Sequence, residues 1–238
     1  AGFAQEKITT DNITFIDYTG FPEGQSTWDD IGFSTKYNKV VVGVTNHADK
    51  VALFDYDVAT GKMTNNGLIA DLGHLRPFQW QGKIHSKIAE GADGYMYFST
   101  DGGESREEYL MNHPAGYNGG YFMKWHPQTK TLVNLGMGMP YESIKDIDID
   151  PQTGTIYGVS YPQVHFLVYK PEVNQVKDLG RLGSSHVPRV LFTDWWGNCY
   201  YVDWRQRLVK YQKDKDSLLF AAESLPAFEG TPGGKIVT

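Results

Sequence analysis

The sequence predicts an all-β chain, a β-propeller of four-stranded antiparallel blades. Two observations carry this: a strand–turn–strand unit recurs four times, and a second hairpin with an aromatic anchor follows each copy at near-constant spacing. The first hairpins are Asp30–Val42, His85–Phe98, Lys145–Tyr157 and Pro188–Tyr200. Their turns place Asn38, Gly94, Gly154 and Gly197 where the chain must take a positive φ, which glycine adopts freely and asparagine next most readily. The second hairpins are Leu53–Met63, Met123–Leu132, Val168–Val176 and Lys210–Leu218. Their anchors Tyr56, Trp125, Tyr169 and Tyr211 stand 69, 44 and 42 residues apart. In the first three a glycine, Gly67, Gly136 or Gly180, closes the unit eleven residues after its anchor. Four strands in roughly 42–45 residues is blade length. The longer first interval reflects an insertion from Asp101 to Gly120 in the second copy, and long insertions in economical repeats usually serve function.

Four blades account for roughly residues 13–225, and no linker divides the chain. We expect residues 1–238 to be one propeller domain, incomplete at its C-terminus, where Pro226–Thr238 reads as the lead into another blade. The expected whole is a seven-bladed ring, completed by further blades or by a second chain. The rival is a small ring closed by a strand at Ile13–Asp17.

Composition narrows the function. Hydrophobic residues make up 40% of the 238, enough for a sizeable core. Aromatics reach 14%, with 15 Tyr and 6 Trp, which suit half-buried strands and sugar-stacking platforms alike. A net charge of -6 argues against general nucleic-acid affinity but admits an acidic ligand held by a few cations. The single cysteine, Cys199, rules out an internal disulfide and reads as a buried thiol. No apolar run approaches the ~20 residues of a membrane span. The opening Ala1–Gln5 resembles the small-residue tail of a cleaved export signal, so a secreted or periplasmic location is expected.

In a blade, the connection into the innermost strand and the turn between strands two and three share one face, where binding residues collect. The connections supply Trp28, Asp29, His85, Lys145, His186 and Arg189. The turns supply Asn46, His47, the insertion with His113, then Tyr161 with His165, and Asp203-Trp204-Arg205. Each has a plainer reading as a turn or packing residue. Gly-rich phosphate loops, the His-Glu-x-x-His zinc motif and nucleophile elbows are absent from the sequence. No cofactor is required, although a structural or catalytic divalent metal, calcium or zinc, remains compatible.

Several runs together resemble the β-propeller polysaccharide lyases, notably ulvan lyases and rhamnose–glucuronate lyases, with a related propeller rhamnosidase family. They are Lys83-Ile84-His85 through Asp93–Phe98, Gly119-Gly120-Tyr121-Phe122, Leu135-Gly136, Thr155–Gly158 with Tyr161-Pro162, and Val187-Pro188-Arg189 followed by Gly197-Asn198 and Tyr200. The resemblance covers about residues 83–211. It implies β-elimination beside a uronic acid in an acidic polysaccharide, with His85 and Tyr161 moving protons and Arg189 offsetting the carboxylate. His47, His113, Tyr121, His165, His186, Trp204 and Arg205 are the expected substrate-binding group. The family pattern carries a histidine where this chain has Tyr121, and often another at Asp101. A non-catalytic carbohydrate-binding propeller and a propeller glycoside hydrolase are the alternative readings, and a protein-interaction scaffold is a third.

Overall fold

The computed structural model describes residues 13–103, 113–183, 188 and 190–225. Strand makes up 50% and helix 5%. Blade 1 is built from β1 (Ile31–Ser34), β2 (Lys39–Thr45), β3 (Val51–Asp57) and β4 (Lys62–Leu68). Blade 2 holds β5 (Lys83–Ile84), β6 (Ala89–Glu90), β7 (Met96–Asp101), β8 (Tyr121–His126) and β9 (Thr131–Met137). Blade 3 is β10 (Ser143–Asp150), β11 (Thr155–Tyr161), β12 (His165–Lys170) and β13 (Gln175–Arg181). Blade 4 is β14 (Phe192–Thr193), β15 (Cys199–Val202), β16 (Arg207–Gln212) and β17 (Ser217–Ser224). All are antiparallel meanders in chain order. These are consecutive blades of a β-propeller, as the repeat predicts.

The turn residues behave as their chemistry requires. Asn38, Gly94, Gly154 and Gly197 all take positive φ, between 51° and 81°. At the outer edge, Gly67, Gly136 and Gly180 each accompany a register shift between the third and fourth strands. Each glycine N–H is held by an Asx side chain two residues earlier: Asn65, Asn134 and Asp178.

The core lies between blades. Val41, Leu53 and Ile69 of the first unit pack on Ile84, Phe98, Met123 and Trp125 of the second. Phe122 and Tyr97 meet Ile144, Ile147 and Leu167 of blade 3. Tyr157 and Phe166 meet Cys199, Tyr201 and Tyr211 of blade 4. Cys199 is fully buried, and burial pushes its thiol well above the ordinary range, as an inert structural cysteine requires. Phe21 covers the outer side of blade 1 at Val44, Ala52 and Phe54. Residues 13–17 form no strand, so the closing strand of the rival reading is not seen at Ile13–Asp17. On blade 4 the face away from blade 3 carries the row Phe192–Tyr200–Lys210–Leu219, and Phe192 and Leu219 are half exposed. Both Ala1–Gln5 and Pro226–Thr238 lie outside the described residues. Among those residues, no helix is long and apolar enough to cross a membrane.

Blades 1 and 2 meet closely at Gly32 of β1, where an added Cβ would stand 2.1 Å from the Ile88 carbonyl oxygen. Backbone cannot swing aside as a side-chain tip can. Gly32→Ala is therefore expected to destabilise by roughly 1–3 kcal/mol, the range for overpacking, read as a lower urea midpoint. An unchanged midpoint would mean that the two inner strands are not in this contact.

Candidate functional site

The innermost strands of blades 2 and 3 are both irregular, and the irregularities build the site. β5 and β6 pair with the same neighbour, β7, but in different registers: Ile84↔Thr100 and then Ala89↔Tyr97. They are one inner strand broken at residues 85–88. β10 has a register shift between Ile144 and Asp146, which makes Lys145 the extra residue. Bulges re-aim side chains and recur beside active sites. Here they present His85 and Lys145 to each other: His85 Nδ1 lies 3.1 Å from the Lys145 carbonyl oxygen. A carbonyl only accepts, so Nδ1 carries the hydrogen. The neutral ring then holds its basic lone pair on Nε2.

Around this pair stands a cationic, aromatic group. The Trp28 indole stacks on His85 (5.5 Å, 20°) and meets His47 edge-on at 5.5 Å. Lys83, fully buried, places Nζ 4.5 Å from the Trp28 ring. Lys83 and His85 lie two residues apart, the spacing that returns side chains to one face of an extended strand. Lys145 Nζ pairs with Asp101 Oδ2 at 2.6 Å, the carboxylate being wholly buried, and lies 5.0 Å from the Tyr161 ring. Tyr161 is 43% exposed at the end of β11. Burial holds His85 below its ordinary pKa, and the Lys145 and Lys83 cations push the same way against the opposing Asp101. The imidazole is thereby biased toward its neutral form at neutral pH.

The N-terminal segment fixes Trp28. Its backbone N–H and the Thr27 hydroxyl both bond Asp30 Oδ1, while among the described residues Asp30 Oδ2 has no hydrogen-bond partner. Burial raises the Asp30 carboxyl to about 6. His47 sits in the turn between β2 and β3 with φ 61°, its N–H bound to Thr45 Oγ1 at 2.8 Å. Asn46 Oδ1 ties that turn by accepting from the N–H groups of Ala48 and Lys50.

Of the residues singled out in the sequence, His47 and His85 are thus joined through Trp28, and Tyr161 stands beside Lys145. His113 is bonded to Asp49 of the turn that carries His47. Tyr121, placed by sequence in the substrate-binding group, belongs to the core between blades 1 and 2, 4% exposed, with its hydroxyl taken by Gln79. His165 is held by Asp178 of the adjacent strand at 2.9 Å. Trp204 and Arg205 pair with each other in the β15–β16 turn, at 4.7 Å. His186 and Arg189 lie outside the described residues. Sequence reasoning gave no role to Lys83 and only a place on the face to Lys145. For Lys83, the signal was its place two residues before His85.

Further along the axis, Asp146 Oδ2 accepts the Leu191 N–H of the next blade at 2.8 Å. Burial raises this carboxyl from 3.8 to about 7. The folded value lies above the unfolded one, so the folded state binds the proton more tightly and stability falls as pH rises from about 4 to 7. Asp146→Asn is expected to shrink that slope and raise the melting temperature at pH 8, roughly 2–4 °C for each kcal/mol in a chain of this size. Melts of both proteins at pH 5 and pH 8 check this, and equal pH slopes would contradict it. Among the described residues, no three His, Cys, Asp or Glu side chains cluster as a metal site.

Fold and site together describe a propeller in which a buried histidine, His85, stands beside Lys83 and a Lys145–Asp101 pair where blades 2 and 3 meet. No protein-family model matches the sequence, and no curated protein matches it. Solved structures do match. An auxiliary nutrient binding protein from Bacteroides thetaiotaomicron aligns with a TM-score of 0.54 at 12% identity, over 86% of this chain and 45% of that one. An auxiliary nutrient binding protein from Bacteroides ovatus gives 0.55 at 13%, over 85% and 44%. Virginiamycin B lyase from Staphylococcus aureus gives 0.53 at 10%, over 80% and 54%. At these identities the likeness is one of fold. The chain spans about half the length of each.

Proposed function

We propose that this chain is a carbohydrate-active protein that binds an acidic saccharide at the mouth of the propeller and cleaves it by β-elimination beside a uronate. One observation carries the reading: His85, its Nδ1 hydrogen held by the Lys145 carbonyl and its pKa held down by burial and by Lys145 and Lys83, stands at the broken inner strand of blade 2. Abstracting the C5 proton of a uronate builds a second negative charge on its carboxyl group. The Lys83 and Lys145 ammonium groups offset that charge in a site where fixed charges need no reorganisation. His85 Nε2 takes the C5 proton, and the electrons of that bond form the C4–C5 double bond. The C4–oxygen bond breaks, and the Tyr161 hydroxyl returns a proton to the leaving oxygen. Arg189 stays in the proposal as a further cation for the carboxylate, where its planar fork would suit two oxygens. The fold likeness admits either outcome for such a mouth, since its members carry names of a lyase and of nutrient binding proteins.

A binding-only reading draws on the Trp28 indole lying flat on His85, which makes the same group a stacking platform. Incubation with a panel of uronate-containing polysaccharides separates the readings. Ultraviolet absorbance from an unsaturated uronate, appearing with new chain ends, is the expected result. New chain ends without that absorbance mean hydrolysis; binding with neither means a binding module.

A further inference from the structure

We propose that the cleft between Phe78, Trp80 and His113 is a second saccharide subsite, one that takes a neutral pyranose ring; this rests on the acidic-saccharide reading of the mouth. The cleft has a volume of about 320 Å3 and is walled by Pro77, Phe78, Trp80, His113 and Pro114. That is within the roughly 300–1,000 Å3 of small-ligand sites. Its floor is set before any ligand arrives. His113 stacks on Trp80 at 4.5 Å and 20°, and its Nε2 is held by Asp49 at 2.9 Å. The Trp80 indole N–H donates to the Gly116 carbonyl at 3.3 Å, and Tyr117 braces the same indole at 5.1 Å. Fixing these rings in advance removes an ordering cost from binding.

The chemistry of the walls selects the occupant. Among the described residues, no Lys, Arg, Asp or Glu lines the cleft, so none of them offsets a carboxylate there. A pyranose presents an apolar C–H face to an aromatic wall and hydroxyls at its rim. Phe78, 47% exposed, offers the face. The Gly116 carbonyl, with one lone pair used by Trp80, keeps a second for a hydroxyl. A charged lysine mouth and an uncharged aromatic cleft therefore ask for different sugar rings.

The two are joined by one turn. His47 meets Trp28 of the mouth, and Asp49 anchors His113 of the cleft. Two residues span at most about 7 Å of extended chain. Thr45 Oγ1 also bonds the Gly82 carbonyl at 2.6 Å, tying the turn to the segment that carries Trp80 and Lys83. One oligosaccharide lying across this turn would place a uronate at the lysines and a neutral ring against Phe78.

The test uses the whole chain on a printed array of plant and algal oligosaccharides, half of them free of uronate, with titration calorimetry on the members that bind. Phe78→Ala is expected to weaken binding of uronate-free members about five- to tenfold, the worth of one aromatic contact. Lys145→Met should leave those members unaffected and bind the uronate ones more weakly. If wild type binds no uronate-free member, or if Phe78→Ala binds them as wild type does, the subsite is overturned. If Phe78-sensitive binding is found but no unsaturated product ever forms, the elimination reading fails while the subsite stands. Phe78 is half exposed, so its truncation spares the fold; Phe78→Tyr, which keeps the ring, should restore binding.

Discussion

His85→Ala is expected to abolish formation of unsaturated uronate while binding of the same polymer changes by no more than about twofold. A general base contributes about 10²–10⁴ in rate and little to ground-state affinity. The site adds a pH signature. Burial, then the Lys145 and Lys83 cations, hold His85 below 6.5. The base must be unprotonated to act, so turnover should rise with pH through a value below 6.5 and be level by neutrality. A rate still climbing steeply above pH 7 would mean that another group takes the proton. Loss of polymer binding in His85→Ala would recast the residue as a ligand contact.

Lys145→Met is expected to lower kcat about 10²–10³-fold, the usual consequence of removing one preorganised charge-stabilising group. The substitution leaves the carbonyl that holds His85 Nδ1, because that contact is made by backbone. It also strands Asp101, wholly buried, and breaking a buried ion pair from one side costs about 3–5 kcal/mol. The double variant Lys145→Met with Asp101→Asn separates the two effects, since it removes the stranded charge. It should recover most of the stability and none of the activity. Loss of the Lys145 cation also removes one cause of the low His85 pKa, so the acid limb of the pH profile should move upward in Lys145→Met. A double variant that regains turnover would make Lys145 a structural partner of Asp101 alone.

The blades were legible because their turns demand particular residues. Asn38, Gly94, Gly154 and Gly197 recur at matching offsets, and only residues that tolerate positive φ close such hairpins. The Asx–x–Gly closures at Asn65, Asn134 and Asp178 belong to the same repeat and were open to the same reading. The site was legible only in part. Strand alternation assumes regular pairing, and His85 and Lys145 sit where pairing breaks. The Lys145–Asp101 pair joins neighbouring blades, and no short-range pattern announces it. Tyr121 went the other way. It stands two and four residues before Met123 and Trp125, on the same strand face, and all three point into the core between blades 1 and 2. Its phase outweighed its position after Gly119-Gly120.

The central claim, that this mouth removes a proton from C5 of a uronate, is tested most directly with a substrate carrying deuterium at that carbon. Mass spectrometry of the products reads the outcome. We predict a product that has lost the deuterium, formed several-fold more slowly than from the unlabelled substrate. A cleaved product that keeps deuterium at C5 and forms at the unlabelled rate would contradict the account.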